Sequence, residues 1–326
     1  MTYFFVNTYQ TLFQCIAFHS FERESVFYIS DQCKNYALIK KILNKNGITC
    51  YVDEQYNFEN FVNKVSTLVK RLLIYNFFNI KKPNELVEVY INGSISSFER
   101  LKYLALSSQV HYLDGGYQHY YHYFSGCKNF FYCRDGDKGV SLLKDILFGF
   151  RVRYGHKKIK NVIFVNEYLA DSSACVLLVK NAGKYREEFH YLSAIENNDY
   201  KYRIVNELFP GFNAHQPIFN GSEKTICILT QPFFEDGYMS KERNLEIYKK
   251  YLNSTNTEDT QVFLKIHPRE SNTKYAELFS QFDITELDGS FPFELLELYR
   301  IKFDIGVSYN STAVFSNSFS RRVILN

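Results

Sequence analysis

The stretch "TYFFVNTYQTLFQCIAFHSF", residues 2–21, decides the fold. Its first six residues form a β-branched and aromatic run, and the segment after them places apolar residues at helical spacing. A strand that passes through a short turn directly into a helix is the opening unit of an α/β layer. The pattern recurs downstream. "SVFYIS" (25–30) reads as a strand and "KNYALIKKILNKNG" (34–47) as a helix stopped by glycine. "TCYVD" (49–53) is the next strand, and "NFENFVNKVSTLVKRLLIYNFFN" (57–79) is a long amphipathic helix pattern. "LVEVYING" (86–93), "VHYLDGG" (110–116) and "NVIFVN" (161–166) are further strand candidates.

A polar stretch rich in Gly, Pro and Asn, "FPGFNAHQPIFNGSEK" (209–224), reads as a linker. A second α/β set follows it. "TICILTQP", "QVFLKIHP", "DITELD", "FDIGVSY" and "RVILN" are strand patterns. "SKERNLEIYKKYLN", "TKYAELFSQF", "PFELLELYR" and a helix start at "NSTAVFSNSFS" alternate with them. The expectation is two Rossmann-like α/β domains facing a central cleft, with ligands at the carboxyl ends of the strands. A length of 326 residues fits two domains better than one core.

Composition narrows the function classes. The chain is 46% hydrophobic and 18% aromatic, as folded globular proteins are. Its formal net charge of +3 comes without a concentrated basic face, so nucleic acid is not an expected partner. The short basic stretch "RVRYGHKKIK" (151–160) is a solvated face or a contact to anionic lipid or glycan. Seven scattered cysteines with no CxxC fit a reducing compartment. The N-terminus has no basic n-region and its apolar run is broken by Asn7, Thr8, Gln10 and Gln14, so neither a signal peptide nor a membrane span is expected. These readings place the protein in the cytoplasm, with peripheral membrane contact as a further expectation. There is no GxGxxG after the first strand and no GxxxxGK[ST], which weakens dinucleotide and P-loop readings.

Four stations in the second half fall at strand ends or helix starts. They are Glu235-Asp236-Gly237 in "LTQPFFEDG", Lys265-Ile266-His267-Pro268, Glu294 in "GSFPFELLEL", and Asn310-Ser311-Thr312 in "VSYNSTAVFS". Pro268 restricts the backbone where the chain leaves the sheet and so aims the preceding imidazole. An imidazolium held beside a phosphate donates to the leaving oxygen. Lys265 lies two residues earlier on the same strand face. Glu294 accepts from ribose hydroxyls or is a first-turn helix acid. Ser311 and Thr312 cap a helix or hold a phosphate at its N-terminus.

Taken together, the acidic-acidic-Gly triplet, Lys-x-His-Pro, the "FELL" helix start and the paired hydroxyls resemble bacterial sialyltransferases. More closely, the chain resembles the lipooligosaccharide and capsular polysaccharide sialyltransferases of glycosyltransferase family 52, streptococcal type. The 27 positions from His267 to Glu294 and the 17 from Glu294 to Ser311 are similar to the family's motif spacing. The resemblance implies a GT-B fold, with residues 1–215 as acceptor domain and 216–326 as the domain binding CMP-sialic acid. It implies inverting transfer of sialic acid to a terminal sugar, galactose, of a lipid-linked capsular or lipooligosaccharide acceptor. It also implies that no metal or other cofactor is needed; the "DGD" at 135–137 sits in a polar loop rather than at a strand end.

In the same way His267 matches the acid at the departing CMP phosphate. Ser311 and Thr312 match the phosphate-binding hydroxyls. Lys265, Pro268 and Glu294 match donor-nucleotide positions. For the base, Asp236 fits the acidic pattern, with Glu235 as substitute, although 31 positions before His267 is a long gap for the family. A rival is Asp114 in "VHYLDGGYQHYYHYF", which is otherwise a turn aspartate. His119 and His122 lack the carboxylate or thiolate company of a metal site. The sequence stops at Asn326, soon after the last strand pattern, with little left for a helix that crosses back to the first domain; either the two halves are held differently or a second protomer, as in a homodimer, contributes. Two rival functions stand beside this one: another nucleotide-sugar transferase on the same fold, such as a glucosyltransferase, and a non-catalytic glycan-binding subunit of capsule assembly.

Overall fold

The computed structural model of the protein describes residues 1–20, 22–54, 84–91, 99–100, 103, 106–113, 159–164, 185–188, 191–212, 216–222, 224–235, 237–255, 259–309 and 311–325. The chain divides into two compact units, Met1–Leu208 and Phe209–Asn326.

The first unit is built on a seven-stranded sheet with the order β3-β2-β1-β4-β5-β6-β7. Its strands are β1 (Thr2–Val6), β2 (Ser25–Ser30), β3 (Thr49–Asp53), β4 (Asn84–Ile91), β5 (Ser107–Leu113), β6 (Ile159–Phe164) and β7 (Tyr185–Glu188). All neighbours run parallel. β1 and β2 are buried along their full length, as strands covered on both faces must be. Helix α1 (Tyr9–Phe18) starts at a capping box in which Thr8 and Thr11 satisfy each other's backbone amides. Helix α2 (Tyr36–Lys45) is followed by Gly47 at φ +76°, a conformation that only a residue without Cβ adopts freely. Helices α3 (Tyr191–Glu196) and α4 (Asp199–Leu208) complete the unit; α3 packs on α1, and α4 packs on α2.

At the carboxyl edge of this sheet Arg100 is buried and donates from Nε to Asp53 Oδ2 at 2.6 Å. A second guanidinium nitrogen reaches Asn7 Oδ1. The ends of β1 and β3 are thereby held by one cation from a later part of the chain. The amphipathic pattern at 57–79, Asp114, His119, His122 and the acidic loop at 135–137 lie outside the described residues.

The second unit is a five-stranded parallel sheet with the order β10-β9-β8-β11-β12. Its strands are β8 (Lys224–Leu229), β9 (Thr260–Lys265), β10 (Ile284–Leu287), β11 (Phe303–Ser308) and β12 (Phe319–Ile324). Side chains alternate between faces. One face sets Ile226, Ile228, Val262, Leu264, Ile305 and Val307 against Leu245, Tyr248 and Leu252 of α5 (Lys241–Asn253) and against Leu278 of α6 (Ala276–Gln281). The other face carries Cys227 and Phe263, and Phe263 packs edge-on against Phe303 at the start of β11, with ring centroids 5.3 Å apart. Ser240 caps α5 by accepting from the Arg243 amide. A short helix α7 (Glu294–Leu298) precedes β11.

The helix expected at 310–320 is a single 3-10 turn, Thr312–Phe315. β11 and β12 pair in parallel with Phe303 opposite Phe319, so the chain must return within ten residues of Ser308. A parallel crossover that short has no room for an α-helix. Cys15, Cys33, Cys50 and Cys227 are free and buried, and burial pushes the Cys33 and Cys50 thiols up to about 12. They behave as small core residues.

Candidate active site

In the second unit the strand order reverses at β8, with β9 and β10 on one side and β11 and β12 on the other. Loops leaving the carboxyl ends of β8 and β11 diverge there, the position at which open α/β sheets bind ligands. Phe233 after β8 packs edge-on against Tyr309 after β11, with centroids 5.4 Å apart, and so ties the two loops at their roots. Ser308 Oγ donates to Leu229 O across the same strand pair at 3.1 Å.

The loop after β8 turns at Gly237, whose φ of +73° explains the glycine of the acidic-acidic-Gly triplet. The Gly237 amide donates to Phe234 O at 3.0 Å and the Tyr238 amide to Phe233 O at 2.8 Å. Asp236 lies outside the described residues. Glu235 is exposed, and both its carboxylate oxygens accept from Lys274 Nζ, at 3.1 and 3.4 Å.

β9 ends at Lys265, which is buried and donates from Nζ to Asp288 O at 2.7 Å. The cation therefore braces the loop after β10. His267 emerges half-buried and Pro268 is exposed. The His267 amide donates to Thr230 Oγ1 at 2.9 Å and to Glu270 Oε2 at 3.3 Å, and Glu270 N–H closes the turn on His267 O at 2.9 Å. Arg269 N–H donates to His267 Nδ1 at 3.2 Å. An Nδ1 that accepts leaves Nε2 as the ring atom able to donate. The Arg269 amide thereby orients the ring and turns its Nε2 edge away from the turn's own backbone.

Glu294 opens α7 and is half-buried. Burial pushes its carboxyl above the usual range; its own backbone amide opposes this, Glu297 adds to it and Lys265 opposes it. Glu297 accepts from the Ser316 hydroxyl and from Asn317 Nδ2, which fixes α7 against the chain entering β12. Ser311 is buried; its Oγ accepts from the Ala313 amide at 3.3 Å and its amide donates to Ser308 Oγ at 3.0 Å. It therefore caps the 3-10 turn. Thr312 opens that turn, and Asn310 lies outside the described residues.

The second unit thus gathers Glu235, Lys265, His267, Pro268 and Ser311 along one carboxyl edge, with Glu294 at the helix following β10. His267 and Ser311 follow β9 and β11, the two strands that flank β8; strands two positions apart in a sheet lie roughly 10 Å from each other.

Beneath this edge lies a cluster that the motifs did not reveal. Glu270 has a fully buried side chain and receives Lys274 Nζ at 2.6 Å, Tyr275 OH at 2.7 Å, the Thr230 hydroxyl and the His267 amide. The Lys274 side chain is only 4% exposed. The i,i+4 spacing of Glu270 and Lys274 was the one sequence signal for it. Among the described residues no group of three His, Cys, Asp or Glu side chains is arranged to hold a metal ion. None of their helices is long and apolar enough to cross a membrane.

Comparison with known proteins places the fold and the family. The chain matches an α/β-galactoside α-2,3-sialyltransferase from Photobacterium phosphoreum with a TM-score of 0.56 at 12% identity, over 99% of this chain and 90% of that one. A 2,6-sialyltransferase from a Photobacterium species, crystallised with CMP and lactose, matches with a TM-score of 0.57 at 12% identity, over 98% of this chain and 71% of that one. The GT-B domain of a Photobacterium damselae sialyltransferase gives 0.51 at 14% identity, over 98% and 89%. At these identities the likeness is one of fold, and the fold is GT-B. A Haemophilus influenzae protein of uncharacterised function is 30% identical over 91 residues, spanning 28% of each chain. The family model described as alpha-2,8-polysialyltransferase matches residues 4–319, and the chain belongs to that family.

Proposed function

We propose that the protein is an inverting sialyltransferase that uses CMP-sialic acid. The observation that carries this reading is the placement of His267 and Ser311 after the two strands that flank the switch-point strand β8, with His267 Nδ1 accepting from the Arg269 amide. A nucleotide phosphate bound between them would receive the Nε2–H. The acceptor hydroxyl attacks the anomeric carbon, its proton passes to a carboxylate, and the bond to the CMP phosphate breaks with inversion. CMP leaves as a stable phosphate anion, so a hydrogen-bond donor suffices to stabilise the departing charge and no metal is required. Asp236 is the base in this reading, since the Glu235 carboxylate is held by Lys274. Glu294 and Lys265 flank the nucleoside, Pro268 fixes the His267 turn, and Thr312 adds a hydroxyl to the phosphate. The acceptor is the terminal sugar of a lipid-linked capsular polysaccharide or lipooligosaccharide, met in the cytoplasm at the inner membrane face. Galactose is the expected terminus, and the family's description adds a sialyl terminus to the acceptors to be assayed.

His267→Ala is the test. It should lower kcat by about 10²–10³-fold, the effect of removing one preorganised donor at developing charge, with CMP affinity nearly unchanged. Normal turnover by the variant overturns the assignment. Thermal stabilisation by UDP but not by CMP would point to a different nucleotide-sugar donor.

A further inference from the structure

Lys274 lies on no motif, yet it is a buried cation that joins two turns of the carboxyl edge. On one side it holds Glu235, in the loop whose Gly237 and Tyr238 amides donate back to Phe234 O and Phe233 O. On the other side it holds Glu270, which accepts the His267 amide and the Thr230 hydroxyl. Thr230 also accepts the His267 amide, so the ends of β8 and β9 are joined twice. Tyr275 donates to the same Glu270 oxygen that Lys274 reaches, and its hydroxyl also lies 3.4 Å from Asn244 Oδ1 on α5. The ring centroids of Phe234 and Tyr275 lie 5.8 and 5.3 Å from Nζ, which adds cation–π attraction. A lone buried ammonium between two carboxylates that belong to different loops is a rigid link, because moving either loop strips a charge of its partner in a low-dielectric setting.

We propose that Lys274 is a positioning residue that fixes the Glu235–Gly237 turn relative to the His267 turn. This inference rests on the sialyl-transfer reading, in which the first turn serves the acceptor hydroxyl and the second the CMP phosphate. Loss of the link leaves the donor side intact, because Glu270 and Thr230 still hold His267, and lets the acceptor-side carboxylate drift. Attack by the bound sugar depends on that carboxylate, whereas adventitious attack by water on the donor depends on it less.

The test compares sugar transfer with hydrolysis of CMP-sialic acid in the full-length protein. Lys274→Met should lower transfer by about 10²-fold, the effect of roughly 1 Å of misplacement, while hydrolysis falls much less and CMP affinity holds. Lys274→Arg, whose fork reaches both carboxylates, should restore most of the transfer-to-hydrolysis ratio. A purely structural lysine predicts that both rates fall together. Should Lys274→Met fail to fold, Glu270→Gln is read instead by hydrogen exchange at the Gly237 and Tyr238 amides. Faster exchange there supports a link across the loops, and unchanged exchange overturns it, because a Glu270 that serves only the His267 turn has no effect on those amides. A folded Lys274→Met with an unaltered ratio overturns the proposal alone. A wild-type protein that neither hydrolyses nor transfers from CMP-sialic acid overturns the sialyl-transfer reading and this proposal with it.

Discussion

Replacing Glu270 with alanine should unfold the second unit far more easily than its place in a surface turn suggests. The side chain is fully buried and receives four donors: the Lys274 ammonium, the Tyr275 and Thr230 hydroxyls and the His267 amide. Removing one partner of a buried ion pair costs about 3–5 kcal/mol, because the other charge remains without compensation. Glu235 still reaches Lys274 from a side chain that is 25% exposed, which keeps part of the pairing and places the expectation near the low end, about 3 kcal/mol. With a urea slope of about 2 kcal/mol per molar, the midpoint of the second unit should fall by about 1.5 M. Glu270→Gln keeps one carbonyl acceptor and should shift it by about half as much. Urea titration followed by circular dichroism measures the shift, and hydrogen exchange over residues 260–275 assigns it to this unit. A Glu270→Ala midpoint within about 0.3 M of wild type, against the slope above, would refute the idea that this cluster holds the His267 turn.

Other outcomes follow from the same unit. A methyl group at Gly306 would stand 2.5 Å from Phe319 Cδ2 and Cγ, so Gly306→Ala should destabilise by about 1–3 kcal/mol as overpacked cores do, and Phe319→Leu should recover part of the loss in denaturant titrations. Burial raises the Glu294 carboxyl, so its contribution to stability is present below the ordinary carboxyl range and is lost as pH rises through the raised value. The Tm gain of Glu294→Gln over wild type should therefore be larger at pH 8 than at pH 4.5, and an equal or reversed difference contradicts the buried-acid account. Asp236→Asn and Asp114→Asn divide the base candidates: the folded variant that keeps full turnover eliminates its residue.

Most of the fold was legible because it is written locally. Runs such as "SVFYIS" and "TICIL" have few conformational options, and Gly47 marks a helix end by its own backbone preference. The 3-10 turn at Thr312 was not legible, because its length is set by where β12 pairs on β11, a fact about registry rather than about residues 310–320. His267 could be singled out from its proline, yet the orientation of its ring could not, since that depends on where the Arg269 amide points. Glu270 and Lys274 looked like ordinary surface charges. Their burial is decided by Thr230 and Glu235, some 40 positions earlier, which only the folded sheet brings alongside. Gly306 carried no signal for the same reason, as the ring that forbids a side chain there comes from Phe319 on the neighbouring strand.

The buried Arg100–Asp53 pair bears on the order in which the chain matures during synthesis. When the ribosome has released the first three strands, Asp53 is already committed to the end of β3, but its counter-ion has not been made. Closing the nascent sheet at that point would strand an anion in a dry environment. β1 also lacks its second neighbour until β4 emerges. In the folded unit the carboxylate at the end of β3 is matched by a cation made some fifty residues later, so full closure of this edge draws on Arg100.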